Sequence, residues 1–243
     1  MTNRFRAGAE KRALYRKGML HGVPIALGYL SVSFGFGILA VQAGLTLLQA
    51  VGISATNLTS AGQAAGVAII AAGGSLAEMI FTQLIINLRY SLMALSLTQK
   101  LDGTFTTGRR MMIAFGITDE IYAVAAAQPG RLTTAYMEGL ILTPMLGWIA
   151  GTLLGAAAGQ VLPASVTDAL GILLYGMFIA IILPPCKKNG RLIWVILMAA
   201  AISTLLTLFA PMISGGFVII ISAVVSACAA ALLFPVGEET AEK

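Results

Sequence analysis

Long apolar runs, each close to the length needed to cross a lipid bilayer, follow one another along most of the chain. An α-helix needs about 20 apolar residues to span the hydrocarbon core. Eight segments meet or approach this length: Gly18–Val41, Leu47–Ala72, Leu76–Gln99, Met111–Ala127, Tyr136–Val161, Ala169–Pro184, Leu192–Ala210 and Ser214–Phe234. The runs do not alternate between apolar and polar residues, as the strands of a membrane β-barrel would. The pattern therefore predicts an all-α, polytopic bundle of transmembrane helices with about eight spans.

Two of the eight segments carry interruptions. The second contains Ser54 and Gln63 and ends at Gly73-Gly74, and the fourth is short and contains Asp119 and Glu120. Irregular backbone at membrane depth is tolerated only where protein or a water-filled cavity covers it. We therefore expect that these helices can be broken. A bundle of seven spans with a re-entrant second segment is the alternative.

The composition excludes a water-soluble protein. Hydrophobic residues make up 58% of the 243 residues and charged residues only 10%, whereas soluble domains contain about 25% charged residues. The net charge of +5 does not indicate a partner nucleic acid, because six of the fifteen cations lie before the first apolar run. Such a distribution is typical of a cytoplasmic flank under the positive-inside rule.

The same rule predicts the orientation. With eight spans and a cytoplasmic N-terminus, eleven Lys and Arg residues lie inside and three outside; a re-entrant second segment changes this to nine against five. The count favours eight spans with both termini cytoplasmic, although the basic loop 100–110 falls on the wrong side. The predicted organisation is a basic cytoplasmic segment, 1–17, a single membrane domain, 18–237, and a short cytoplasmic tail, 238–243.

Glycine recurs at every fourth position of the fifth span, at Gly147, Gly151, Gly155 and Gly159. Side chains four residues apart share one face of a helix, so these glycines form a smooth groove that another helix can approach closely. The groove packs either against a helix of this chain or against a partner subunit.

Arg89 lies near the middle of the third span, in the run Asn87-Leu88-Arg89-Tyr90. A charge at this depth costs about 2.5–3.5 kcal/mol on insertion scales, so it needs a partner or a function. Asn87 and Arg89 point about 200° apart around a helix. We therefore expect that both faces of this helix meet protein or water, or that the helix unwinds here.

Asp119 and Glu120 carry the opposite charge in the next segment and are the natural partners of Arg89. One hypothesis is a structural ion pair that joins two helices. The other is a substrate or proton pathway, since arginine binds a carboxylate through two parallel hydrogen bonds and burial favours the protonated carboxylate. The sequence has no His/Cys cluster, nucleophile elbow or phosphate-binding loop, so we expect neither an enzyme nor a metal or cofactor site.

The order of these motifs resembles the AzlC family, the large subunit of branched-chain amino acid exporters, over about Gly18 to Gly237. The run Asn87–Tyr90 is similar to the family's Asn-x-Arg-His/Tyr signature, and Thr118-Asp119-Glu120 matches its Thr-Asp-Glu signature. Ser54 and Gln63 have the spacing of its Ser…Ala-Gly…Gln segment. The departures from the family lie in the same segment, where Thr59-Ser60 replaces the Ala-Gly pair and Leu58 replaces an aromatic residue.

This resemblance implies a bacterial inner-membrane protein that exports valine, leucine or isoleucine, coupled to the proton gradient. It also implies a small AzlD-like membrane subunit as partner. The expected substrate-binding or coupling residues are Ser54, Gln63, Asn87, Arg89, Tyr90, Thr118, Asp119 and Glu120. The alternatives are a non-transporting structural subunit of a membrane complex and a facilitator channel for small amino acids.

Overall fold

The computed structural model describes residues 2–163, 165–166, 179, 186–187 and 189–234, with side chains from residue 8 onward. In this part of the chain the helices are α1 Thr2–Gln42, α2 Leu47–Thr56, α3 Ala61–Ala71, α4 Leu76–Thr98, α5 Thr107–Phe115, α6 Asp119–Ala127, α7 Thr134–Val161, α8 Arg191–Phe209 and α9 Gly215–Leu233. The chain forms two compact units. The first unit comprises Met1–Ala64 and Asn87–Leu174, and the second comprises Ala65–Ile86 and Tyr175–Lys243.

The predicted class, an all-helical membrane protein, is confirmed. Among the described residues, five helices are long and apolar enough to cross a membrane, namely α1, α4, α7, α8 and α9. The first of them already begins at Thr2, so the basic N-terminal segment is continuous with the first span. The sixth predicted span, Ala169–Pro184, lies outside the described residues except for Ile179, and so does the tail 238–243.

The second and fourth predicted segments are each broken into two short helices. α2 and α3 are separated at residues 57–60, and α5 and α6 at residues 116–118. In the first break, Ser60 has a φ of +32°, in the left-handed region that favours glycine. In the second, the Thr118 hydroxyl accepts a hydrogen bond from the Ile121 N–H and so starts a new helix. Local chemistry thus ends one helix and begins another within each segment.

α1 and α7 form the centre of the first unit and run in the same direction. A Cβ placed on Gly18 would meet the backbone of Tyr136, and one on Gly155 would meet that of Phe34. The residue numbers rise together along both helices, which defines a parallel pair.

The glycine groove of α7 is filled by α1. A Cβ on Gly151 or Gly155 would overlap a backbone carbonyl of α1, whereas one on Gly159 would lie 3.5 Å from the Cα of Ile38. The groove therefore packs against a helix of this chain and does not serve as a contact surface for a partner subunit.

α5 runs alongside α7 and in the same direction. Before α5 begins, the Thr104 hydroxyl lies 2.6 Å from that of Thr134, at the start of α7. Just after α5 ends, a Cβ on Gly116 would overlap the side chain of Ile141, two turns further along α7.

α6 runs in the opposite direction, alongside α1. At its start, the Thr118 hydroxyl contacts the hydroxyl of Tyr29, and at its end Gln128 lies 3.4 Å from the ring of His21. Since α5 follows the direction of α7 and α6 opposes it, the α5/α6 pair returns to the end of the first unit from which it started. It is a re-entrant hairpin.

The common direction of α1 and α7 also determines the path of α2 and α3. Two parallel spanning helices need an odd number of crossings between them. α5/α6 contributes none and α4 is long enough for one, so we infer that α2/α3 is re-entrant as well. The sequence predicted eight crossings, or a re-entrant second segment alone. The structure differs because hydropathy adds the lengths of two short helices, whereas the backbone reverses at each break.

The second unit contains the start of α4 together with α8 and α9. Arg191 at the start of α8 lies over the ring of Phe234, 5.7 Å from its centroid and just beyond the end of α9, so these two helices are antiparallel. Glu78 in the first turn of α4 accepts a hydrogen bond from the backbone N–H of Gly216, with N and Oε1 2.7 Å apart. Glu78 therefore caps α9 rather than only its own helix.

We expect Gly155→Ala to lower the thermal stability of the purified protein in detergent, because the added methyl group would force α1 and α7 apart at a cost of about 1–3 kcal/mol. Gly159→Ala is the matched control, since it gains the same helix propensity but makes only ordinary contacts. The measurement is thermal unfolding of both variants beside the parent protein. Equal melting temperatures for the two variants would contradict close packing at Gly155.

Candidate functional site

The two intramembrane charge clusters meet in the first unit. Arg89 on α4 forms an ion pair with Asp119 at the start of α6, with Nη1 and Oδ2 2.8 Å apart. The two side chains are 44% and 42% exposed. α4 remains helical through Asn87–Tyr90, so the helix does not unwind here. The structure thus contains the predicted pairing of Arg89 with an acidic residue of the fourth segment.

Tyr90 completes this charged cluster. The guanidinium of Arg89 lies 4.9 Å from the centroid of the Tyr90 ring and donates a hydrogen bond of 3.1 Å to its hydroxyl. Tyr90 also interacts electrostatically with Asp119 and Glu120. The ring therefore holds the guanidinium in place while leaving part of its donor capacity unused.

The start of α6 is organised by a tyrosine from α1. The hydroxyl of Tyr29 lies 2.5 Å from Thr118 Oγ1 and 2.6 Å from Glu120 Oε2. A phenol has one proton, so it can donate to only one of them. When Glu120 is ionised, Tyr29 donates to the carboxylate and the Thr118 hydroxyl donates to Tyr29.

The end of α6 is held by Lys100. Its ammonium donates to the carbonyl oxygens of Ala126 and Gln128, at 2.5 and 2.8 Å. A cation in this position satisfies the last carbonyls of a helix and complements its dipole. α6 is thus short but fixed at both ends, which allows it to stand as an independent half-helix.

The break between α2 and α3 is held by a second polar network, and this one is almost completely buried. The indole N–H of Trp148 donates to Gln63 Oε1 at 2.9 Å, and the Gln63 amide donates to Ser54 Oγ at 3.0 Å. Ser54 Oγ in turn lies 2.6 Å from Thr152 Oγ1. The exposed fraction of each residue is at most 2%: it is 0% for Ser54 and Thr152, 1% for Gln63 and 2% for Trp148. The network fixes both sides of the break to α7.

Tyr29 brings the two breaks together. Its ring packs edge-to-face against Trp148 at 5.2 Å, and Leu58 in the first break packs into the same cluster. Its hydroxyl reaches Thr118 in the second break. The two re-entrant pairs therefore meet at one residue of α1, and both α3 and α6 begin in this region. Half-helices that begin at one point direct the positive ends of their dipoles toward it.

The predicted site residues thus fall into two adjoining groups. Arg89, Tyr90, Thr118, Asp119 and Glu120 surround the start of α6, whereas Ser54 and Gln63 lie in the buried network at the first break. Asn87 lies on α4 as a partly buried residue.

Sequence reasoning missed Tyr29, Trp148 and Thr152. Aromatic and hydroxyl residues within an apolar span look like ordinary core residues, and no charge marks them. Within the described residues, no three His, Cys, Asp or Glu side chains come together as a metal site would require.

Comparison with known proteins places this arrangement in a family. The model of the family described as AzlC protein matches residues 24–162, which is more than half of the chain. The chain belongs to the AzlC family. The matched residues include Tyr29, both breaks and the Arg89–Asp119 pair.

Three relatives show how far the similarity extends. An uncharacterised membrane protein of Archaeoglobus fulgidus is 33% identical over 182 residues, covering 73% of this chain and 78% of that protein. The inner membrane protein YgaZ of Escherichia coli K12 is 28% identical over 233 residues, covering 93% of this chain and 92% of YgaZ. An uncharacterised membrane protein of Helicobacter pylori J99 is 26% identical over 178 residues, covering 72% and 77%. No solved structure gave a significant match.

We expect Tyr29→Phe to destabilise this AzlC-family protein by about 1–3 kcal/mol, because Glu120 and Thr118 would lose a buried hydrogen-bond partner while the ring keeps its packing on Trp148. Thermal unfolding in detergent measures the change. Tyr15→Phe is the control, since within the described residues the Tyr15 hydroxyl makes no hydrogen bond. A Tyr29→Phe protein as stable as the control would show that the hydroxyl contributes nothing to holding α6.

Exchanging the two charges tests the ion pair. We expect Arg89→Asp and Asp119→Arg each to lower thermal stability, and the double variant to recover part of the loss through a coupling free energy of about 0.2–1 kcal/mol. The modest value follows from the partial exposure of both side chains. Additive losses in the double variant would mean that the pair makes no contribution to folding.

Proposed function

We propose that this AzlC-family protein is a secondary transporter that exports branched-chain amino acids from the bacterial cytoplasm across the inner membrane. The observation that carries the proposal is the meeting of two re-entrant pairs at Tyr29, beside the Arg89–Asp119 ion pair. Broken helices at membrane depth occur where protein or a water-filled cavity covers the backbone, and in transporters they form the substrate site.

The charge distribution of the first unit supports a cytoplasmic N-terminus. With α2/α3 and α5/α6 re-entrant, the six cations of the N-terminal segment, the three of the loop 100–110 and Arg131 all lie at the same end of this unit. Arg89, at membrane depth, is the remaining Lys or Arg of the unit. The loop 100–110, which disagreed with the eight-span count, then lies on the same side as the N-terminus, in accord with the positive-inside rule.

The polar groups suit a zwitterion. The guanidinium of Arg89 and the positive ends of α3 and α6 attract a carboxylate. Asp119 and Glu120 supply carboxylates for an ammonium group. The adjoining cluster of Tyr29, Leu58 and Trp148 is largely apolar, as the surroundings of an aliphatic side chain should be. The family resemblance adds the branched-chain class, proton coupling and a small AzlD-like subunit to this proposal.

The experiment is transport of a panel of radiolabelled amino acids by the purified protein in proteoliposomes, with and without the candidate small subunit. We expect saturable transport of valine, leucine and isoleucine. Arg89→Ala should reduce it about ten- to hundredfold, because a charged hydrogen bond to the substrate is lost. Arg109→Ala is the control, since that guanidinium donates to the carbonyl of Thr104 outside this cluster. Full transport by Arg89→Ala would remove Arg89 from the mechanism.

A second candidate function is a structural subunit whose partner forms the transport path. The observation that favours it is that Arg89 and Asp119 already satisfy each other. The charge-exchanged double variant separates the two candidates. A structural clamp predicts that the variant recovers transport together with stability, whereas a substrate-binding pair predicts that it recovers stability alone.

A further inference from the structure

Glu78 is a buried carboxylate that the proposed substrate site does not use. It lies in the first turn of α4, in the second unit, and is only 4% exposed. Its carboxylate accepts hydrogen bonds from the backbone N–H of Gly216 and from the side chain of Ser214, at the start of α9. A buried carboxylate is costly unless its charge is compensated.

No cationic side chain compensates this charge within the described chain. Just before α4, the backbone N–H of Ser75 acts on the Glu78 carboxylate, while the Ser75 hydroxyl accepts a hydrogen bond from the backbone N–H of Glu78. From the start of α9, the Ser214 side chain and the Gly216 N–H act on the carboxylate. All of them are uncharged. The N-terminal dipoles of α4 and α9 each supply about half of a positive charge. The negative charge of Glu78 is therefore met by helix dipoles and hydrogen bonds and by no described cationic side chain.

An unused hydroxyl faces the same place. Thr82 lies one turn after Glu78 on α4 and is fully buried, and its Oγ1 has no hydrogen-bond partner among the described residues. A Cβ placed on Gly216 would lie 2.5 Å from Glu78 Oε1 and 2.8 Å from Thr82 Oγ1. The two oxygens thus flank one point, and Thr82 has lone pairs free to serve whatever joins them.

A bound monovalent cation would use both features. A proton on Glu78 needs an acceptor, and the Thr82 oxygen is one. A sodium ion needs hard oxygen ligands, and the carboxylate and the Thr82 hydroxyl provide two such groups. Either ion would supply the cation that no described side chain provides. A cation would also weaken the attraction between Glu78 and α9, so binding could change how firmly that helix is held.

We propose that Glu78 and Thr82 form the binding site for the monovalent cation, a proton or a sodium ion, whose gradient drives export. This rests on the proposed transport function and adds the coupling site to it. The site lies on α4, the helix that also carries Arg89.

The experiment compares two transport assays on the same proteoliposomes. Accumulation of labelled valine under an imposed proton or sodium gradient measures coupling, and exchange of valine across the membrane without any gradient measures substrate translocation alone. We expect Glu78→Gln to keep exchange and to lose gradient-driven accumulation by about tenfold or more. Glu138→Gln is the control and should keep both. The gradient that drives the parent protein identifies the ion.

Two results would overturn the coupling site. One is a Glu78→Gln protein that still accumulates valine under the gradient. The other is a Thr82→Val protein that needs the same ion concentration for half-maximal accumulation as the parent, since loss of this hydroxyl should raise that concentration. Thr82→Val removes an unbonded hydroxyl at nearly constant volume, so it tests the site even where Glu78→Gln fails to fold.

A chemical measurement keeps the two proposals separable. Carbodiimides modify protonated carboxyl groups in apolar surroundings, so we expect an adduct on Glu78 that diminishes as the pH rises or, for a sodium site, as sodium is added. Absence of exchange by the parent protein would reject the transport function and leave this labelling as the readout for Glu78. Absence of any adduct across the pH range would identify Glu78 as a helix cap alone.

Discussion

The close approach of α1 and α7 is the contact on which the first unit depends. Lipid offers helices no hydrophobic driving force for association, so they are held by packing and by polar contacts at short range. Glycine at Gly151 and Gly155 lets the two backbones touch. That approach sets the ring of Tyr29 against Trp148. The Tyr29 hydroxyl reaches the start of α6, and the Trp148 indole donates to Gln63 beside the first break. The α1/α7 pair therefore positions both re-entrant pairs.

The broken backbone is maintained by polar groups that would otherwise be unsatisfied in the membrane. Lys100 covers the last carbonyls of α6 and the Thr118 hydroxyl covers its first turn, while Gln63 connects the first break to Trp148. These bonds are each worth only about 0.5–1.5 kcal/mol, but leaving the same groups unpaired in a bilayer would cost several kcal/mol. The networks therefore add little net stability, but without them the re-entrant backbone would be too costly to form.

Some of this could be read from the sequence and some could not. Continuous apolar runs established the helical membrane class, and the spacing of the α7 glycines indicated close packing. Opposite charges at depth predicted that Arg89 pairs with Asp119 or Glu120, and the ion pair is formed with Asp119. Breaks in the second and fourth segments were expected, and re-entry of the second was the alternative. Reversal of the backbone in both segments was not predicted, because hydropathy records how much apolar length a segment has and not its direction. The basic loop 100–110 on the wrong side was the signal of this error. Tyr29 was missed because an aromatic residue in an apolar span carries no mark of its second contact.

Under the proposed transport function, the Arg89–Asp119 ion pair would suit a zwitterion better than a simple ion. Arg89 and Asp119 together carry no net charge, and each lies at membrane depth with the other as its counter-charge. A substrate with one carboxylate and one ammonium can replace both contacts at once, so neither residue is left unpaired. An anion would satisfy Arg89 and release Asp119 without a partner, and uncompensated charge in low dielectric costs several kcal/mol. An α-amino acid thus allows Arg89 and Asp119 to exchange each other for the two charged groups of the substrate while every charge keeps a partner. A singly charged ligand does not allow this exchange.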